Sequence, residues 1–163
     1  MRNTNRLSFL NHKSAEQLEA LWENTFAGAE NDRHVPAHVP KQYAVPNKSL
    51  LLGFAAQNTG LWLIQRIDDK DILGYVVYGQ IGPFPNSMGI VIGRKFARQG
   101  YALETCQELL AWLKREGRAE VFANCLETNL PIIGLLGQVG FEHLGLTGKS
   151  YAGISELNLR KQL

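Results

Sequence analysis

The sequence predicts a mixed α/β domain in which antiparallel strands come first and helical crossovers follow. Three observations carry this. Two strand-like stretches flank Asp68-Asp69-Lys70, as in a hairpin. The longest helical period runs from Tyr101 to Glu116. Beyond it, strand and helix signals alternate before two closing strands.

Taken in order, Arg6 to Leu10 predicts a short strand. Ser14, with Gln17 three residues on, forms a capping box that opens a helix with Leu18, Leu21 and Trp22 on its apolar face. From Phe26 to Pro46 the prolines, with His34 and His38 among them, predict an irregular excursion. Ser49 caps a short helix to Gln57. The hairpin strands are Leu61 to Arg66 and Ile72 to Ile81. Gly82-Pro83-Phe84-Pro85-Asn86 turns the chain into a strand from Met88 to Gly93. In the long helix Ala102, Cys106, Leu109, Leu110 and Leu113 follow the helical period, and Gly117 supplies the stop. Val121 to Cys125 is a strand, Leu130 to Val139 a helix ended by Gly140, and Phe141 to Leu146 and Ile154 to Leu159 are the last strands.

A length of 163 residues suits a single domain spanning 1–163. With 17 basic and 15 acidic residues the net charge is +2, too balanced to imply a nucleic-acid or membrane partner. No run approaches the roughly 18 apolar residues of a membrane span, and Arg2 and Arg6 precede no leader-like apolar segment. Cys106 and Cys125 lack metal-type spacing and read as buried free thiols, so a cytoplasmic, reducing location is expected. His34 and His38 have the spacing of two ligands on a helix, but Pro36 and Pro40 oppose a helix there and no third ligand is evident, so no metal is expected.

The stretch that points to chemistry is Gly89-Ile90-Val91-Ile92-Gly93-Arg94-Lys95-Phe96-Ala97-Arg98-Gln99-Gly100-Tyr101-Ala102-Leu103-Glu104. It reads as a strand, a short loop and a helix start. The first N–H groups of a helix have no intrahelical partner, and the helix dipole adds about half a positive charge there, so the junction suits an anion such as a pyrophosphate. Gly100 and Ala102 are small enough for close backbone approach, and Arg94, Lys95 and Arg98 add positive charge. The glycine pattern is not that of a dinucleotide-binding turn, and no phosphate-loop lysine is present.

The run from Ile90 to Thr105 resembles motif A of GNAT acetyltransferases, in particular the RimJ/RimL-type branch that acetylates protein N-termini. Thr128-Asn129, Leu136 and Gly137-Gln138-Val139-Gly140-Phe141 resemble motif B. Thr4-Asn5-Arg6-Leu7 is similar to the T-x-R-L opening of that branch, and Ile72-Leu73-Gly74-Tyr75-Val76 to its third strand. The resemblance implies the GNAT acyl-CoA N-acyltransferase fold: a mixed, mostly antiparallel sheet with a splayed strand pair and helices on both faces. It implies acetyl-CoA as acyl donor and an amine acceptor, either a peptide N-terminus or a small molecule, and it leaves room for a homodimer. Ile90, Val91 and Ile92 would meet the pantetheine arm through backbone groups. Ala97, Arg98, Gln99, Gly100, Tyr101 and Ala102 would wrap the pyrophosphate, and Asn129 would bond the pantetheine while also serving as a helix cap.

Three positions depart from the family pattern. Ala97 stands where a Gln, Arg or aromatic is frequent. Leu136 stands where many relatives carry the tyrosine that protonates the departing thiolate, and Ile132 where the branch often has Ser. Replacement acids or bases would come from Tyr78, Tyr151, His34, Glu30 or Tyr43, each of which also reads as a surface or packing residue. Two other functions compete with an N-acetyltransferase: a GNAT-fold module that senses acyl-CoA without turnover, and an unrelated nucleotide-binding domain.

Overall fold

The computed structural model describes residues 1–11 and 60–163. Its strands are β1 (Leu7–Asn11), β2 (Gly60–Arg66), β3 (Ile72–Ile81), β4 (Phe84–Ile92), β5 (Glu120–Leu126), β6 (Glu142–Tyr151) and β7 (Ile154–Gln162). The described helices are α1 (Tyr101–Arg115) and α2 (Leu130–Gln138), with a 3-10 turn at Arg94–Phe96. All seven strands form one sheet in the order β1-β2-β3-β4-β5-β7-β6. Every pairing is antiparallel except β4–β5, which is parallel. A parallel pair needs a long crossover, and α1 supplies it. The helices expected after Ser14 and Ser49 lie outside the described residues.

Alternation along the strands sorts the apolar residues onto two faces. Leu7, Phe9, Trp62, Ile64, Val76, Tyr78 and Met88 pack with Cys106, Leu109, Leu110 and Leu113 of α1 and Leu136 of α2 in the main core. Each fully buried leucine contributes roughly 1.5–3 kcal/mol. Leu61, Leu63, Tyr75 and Val77 form a smaller buried cluster on the other face. Trp112 of α1 meets Trp62 edge-on at 5.0 Å and Tyr78 at 6.1 Å, which seats the far end of α1 on β2 and β3.

Boundaries of the described elements agree closely with the sequence reading except at two turns and at the end of β7, which runs past the expected Leu159 to Gln162. The segment Phe84-Pro85-Asn86 belongs to β4, not to the preceding turn. Phe84 pairs with Ile81 across Gly82 and Pro83, the ladder shifts register between Gly79 and Ile81, and Asn86 takes a φ of 51°. The strand expected to end at Leu146 continues to Tyr151. Its register shift between Leu146 and Ser150 absorbs Gly148, and Ala152-Gly153 makes the hairpin turn. The tip of this hairpin reaches the start of β4, where the Lys149 ammonium lies 4.8 Å from the centre of the Phe84 ring.

Candidate acyl-donor site

The feature that organises the site is how briefly β4 and β5 stay together. Their parallel pairing consists of Ser87↔Phe122 and Met88↔Ala123. Beyond it β4 runs on through Gly89, Ile90, Val91 and Ile92, still paired to β3. On the other side β5 runs on to Leu126, still paired to β7. Between the two strands a wedge opens, and no described strand fills it. Backbone N–H and C=O groups are obligatory hydrogen-bonding groups, so such an edge suits an extended ligand that adds like a strand. Ile90 and Ile92 turn toward the main core, and Val91 joins the cluster on the opposite face.

Gly93, whose N–H donates to the Leu73 carbonyl at 2.8 Å, carries the chain from the end of β4 into the 3-10 turn. The loop from Ala97 to Gly100 then hangs between two buried aromatic anchors, Phe96 and Tyr101. Ala97 is extended, Arg98 has a φ of 62° and Gly100 one of 82°. Left-handed residues alternating with ordinary ones turn successive N–H groups toward one concave spot. Gly100 is the N-cap of α1 and offers no side-chain cap. The first helical bond runs from the Glu104 N–H to the Gly100 carbonyl at 3.1 Å, so the N–H groups of Tyr101, Ala102 and Leu103 precede the helical ladder. Cations crowd this junction. Lys95 Nζ lies 4.6 Å and the Arg66 guanidinium 5.7 Å from the Phe96 ring, and the Arg6 guanidinium 4.8 Å from the Tyr101 ring. Wedge and junction are continuous along one strand and loop, the first offering strand-edge backbone groups and the second helix-start N–H groups beside cationic side chains.

Asn129 caps α2, its side-chain oxygen accepting from the Ile132 N–H at 3.4 Å. The cap uses the side-chain oxygen and leaves the amide NH2 out of it. Leu136, which stands where many relatives carry the acid, is 1% exposed and packs in the main core. Ile132 packs against the same core.

Of the proposed acids and bases, the two among the described residues, Tyr78 and Tyr151, do not meet at the wedge. Tyr78 is buried on the helical face, and its hydroxyl lies 3.3 Å from Asn86 Oδ1, on the paired stretch of β4 and away from the wedge. Burial pushes its phenol above the usual range. It lines a cavity of about 350 Å³ with Trp112, Gln80 and Arg118, beside the far end of α1. Tyr151 sits at the β6–β7 turn, two strands from the wedge. Glu30, His34 and Tyr43 lie outside the described residues. Among the described residues no group of three His, Cys, Asp or Glu side chains could hold a metal ion.

Sequence reasoning missed the residues that hold the junction in shape. Glu104, in the first turn of α1, receives the Thr4 hydroxyl on one oxygen and Arg6 Nε at 2.7 Å on the other. Arg6 also donates to the Gln99 carbonyl at 3.1 Å. The opening T-x-R-L motif and Glu104 near the end of the motif A run were both visible, but nothing in the sequence paired them.

Residues 7–142 match the family model described as an acetyltransferase (GNAT) domain. No curated protein matches the chain. Among solved structures, the fold is similar to that of a GNAT-family acetyltransferase from Bacillus anthracis, with 20% identity, a TM-score of 0.73 and coverage of 98% of this chain and 96% of that chain. It is also similar to a ribosomal-protein-alanine N-acetyltransferase from Brucella melitensis, with 16% identity, a TM-score of 0.68 and coverage of 96% and 99%. An N-acetyltransferase from Staphylococcus aureus Mu50 is similar at 15% identity, a TM-score of 0.66 and coverage of 96% and 98%. At these identities the likeness shows the fold.

Proposed function

The chain belongs to the GNAT acetyltransferase family, and from that premise we propose that it forms one domain over 1–163 and transfers an acetyl group from acetyl-CoA to an amine. The observation that carries this reading is the wedge between β4 and β5 leading into the anion-binding start of α1. Bound there, acetyl-CoA supplies an activated acetyl thioester. Backbone groups of Gly89 to Ile92 hold the pantetheine arm and aim N–H donors at the thioester carbonyl, where preorganised donors are most effective. Ala97, Arg98, Gln99, Gly100, Tyr101 and Ala102 enclose the pyrophosphate, with the Asn129 amide on the pantetheine from the other side.

The acceptor we propose is chosen by the cost of presenting each kind of amine in neutral form. Without an evident strong base, a lysine-type amine of pKa about 10.4 costs roughly 4.6 kcal/mol to present in neutral form at pH 7. An α-amine of pKa about 7.7–8.0 costs roughly 1–1.4 kcal/mol. This favours a peptide N-terminus, in keeping with the RimJ/RimL-like motifs and a cytoplasmic location. Acetyl transfer to a peptide carrying both a free α-amine and a lysine, mapped by fragmentation mass spectrometry, tests it. Modification at the α-amine is the expected outcome, and modification mainly on lysine overturns it. A second reading, a module that binds acyl-CoA without turnover, draws on the apolar Ile132 and Leu136. Binding of acetyl-CoA with no thiol release across a panel of amines would favour it.

A further inference from the structure

We infer that Arg6, outside the loop itself, is a positioning residue for the pyrophosphate site, and that it acts by neutralising Glu104 and fixing the Gln99 carbonyl. The inference rests on the acetyl-CoA reading above. Glu104 stands one helical turn from Gly100, about 6 Å along the axis. A carboxylate there suits the helix dipole but repels an incoming diphosphate. Arg6 answers it from the N-terminal segment, with Nε and Nη2 both on one Glu104 oxygen at 2.7 and 2.5 Å. Thr4 holds the other oxygen through its hydroxyl. With the same guanidinium Arg6 ties down the Gln99 carbonyl, and a bond at that carbonyl fixes the peptide whose N–H belongs to Gly100. The guanidinium also stacks on the Tyr101 ring, and its Nη2 lies 3.3 Å from where a Cβ on Gly100 would stand. None of these contacts uses an N–H group of the loop or of the first turn of α1. They leave the N–H groups ahead of the helical ladder to the ligand. Further back, the Arg2 N–H donates to Glu108 at 2.7 Å, so the segment is strapped along α1 over two turns.

The test is CoA affinity by titration calorimetry at low salt, with thermal melting as a check on folding. Arg6→Gln should weaken CoA about tenfold, since it leaves the Glu104 charge uncompensated about one turn from the diphosphate. Adding Glu104→Gln to that variant should recover part of the loss, which a purely structural role for the pair would not allow. A single variant within twofold of the unaltered protein, or a double variant as weak as the single one or weaker, overturns the inference. If Arg6→Gln does not fold, Arg6→Lys replaces it, keeping the charge but losing the paired donors to Glu104 and Gln99, with an expected weakening of about threefold, and unchanged affinity overturns the inference. If the unaltered protein binds no CoA, both this inference and the acetyl-CoA reading fall. If it binds and the variants match it, only this inference does.

Discussion

Gly100 carries two demands at once. Its φ of 82° is a conformation that side chains disfavour, and a Cβ there would press on Arg6 Nη2 at 3.3 Å. Gly100→Val should therefore cost about 1–3 kcal/mol of stability and also weaken acetyl-CoA. Denaturant melts beside calorimetry check both effects, and unchanged affinity in a folded variant would remove the loop from the site. Leu136 makes the opposite point. At 1% exposure it has no room for a larger side chain, so Leu136→Tyr should lose about 1–3 kcal/mol through overpacking instead of supplying an acid. Unfolding midpoints decide this, and a variant as stable as the parent would mean the ring finds open space. The motif spacing around Asn129 was legible from residue order, but whether position 136 faces ligand or core depends on how α2 rolls onto the sheet. The Arg6–Glu104 pair was hidden for a similar reason, because its two partners lie 98 positions apart.

At the scale of elements, β3 sets where β4 can run. A Cβ on Gly74 would stand 2.0 Å from the Val91 carbonyl oxygen, a backbone atom that cannot step aside. Gly74→Ala should push Val91 and Ile92 out of register with β3, costing more than about 2 kcal/mol and lowering acetyl-CoA affinity together with stability. Chemical denaturation with a parallel binding titration reads this, and a neutral variant would show that β4 is not held where the wedge requires. The long helix and most strands could be read from the sequence because their apolar periods are unbroken. The start of β4 and the end of β6 could not. Pro85 and Asn86, like Gly148, are turn-forming residues, and here register shifts carry them inside strands. The brief β4–β5 pairing left no local mark either, since splaying is a property of two strands joined through α1.

On the scale of the molecule, one core holds the sheet, α1 and α2 together, and its buried thiol gives a pH signature. Burial pushes Cys106 from 9.0 up to about 12. The folded thiol therefore stays protonated while the unfolded one ionises, so stability is retained below pH 9 and falls as pH rises from about 9 toward 12. The slope from this group is at most about 1.4 kcal/mol per pH unit. Cys106→Ala should remove its share of the slope in denaturant titrations between pH 9 and 11, leaving that of Cys125, which burial pushes to about 11, and an unaltered slope would assign the effect elsewhere. Among the described residues no helix is long and apolar enough to cross a membrane. The central claim is that the wedge and the Gly100 junction serve acetyl transfer to an amine. Its most direct test is thiol release from acetyl-CoA in the presence of a peptide with a free N-terminus, with the product weighed by mass spectrometry. Release matched by a peptide heavier by one acetyl group is the predicted result. Acetyl-CoA that binds but releases no thiol, with any amine offered, would contradict it.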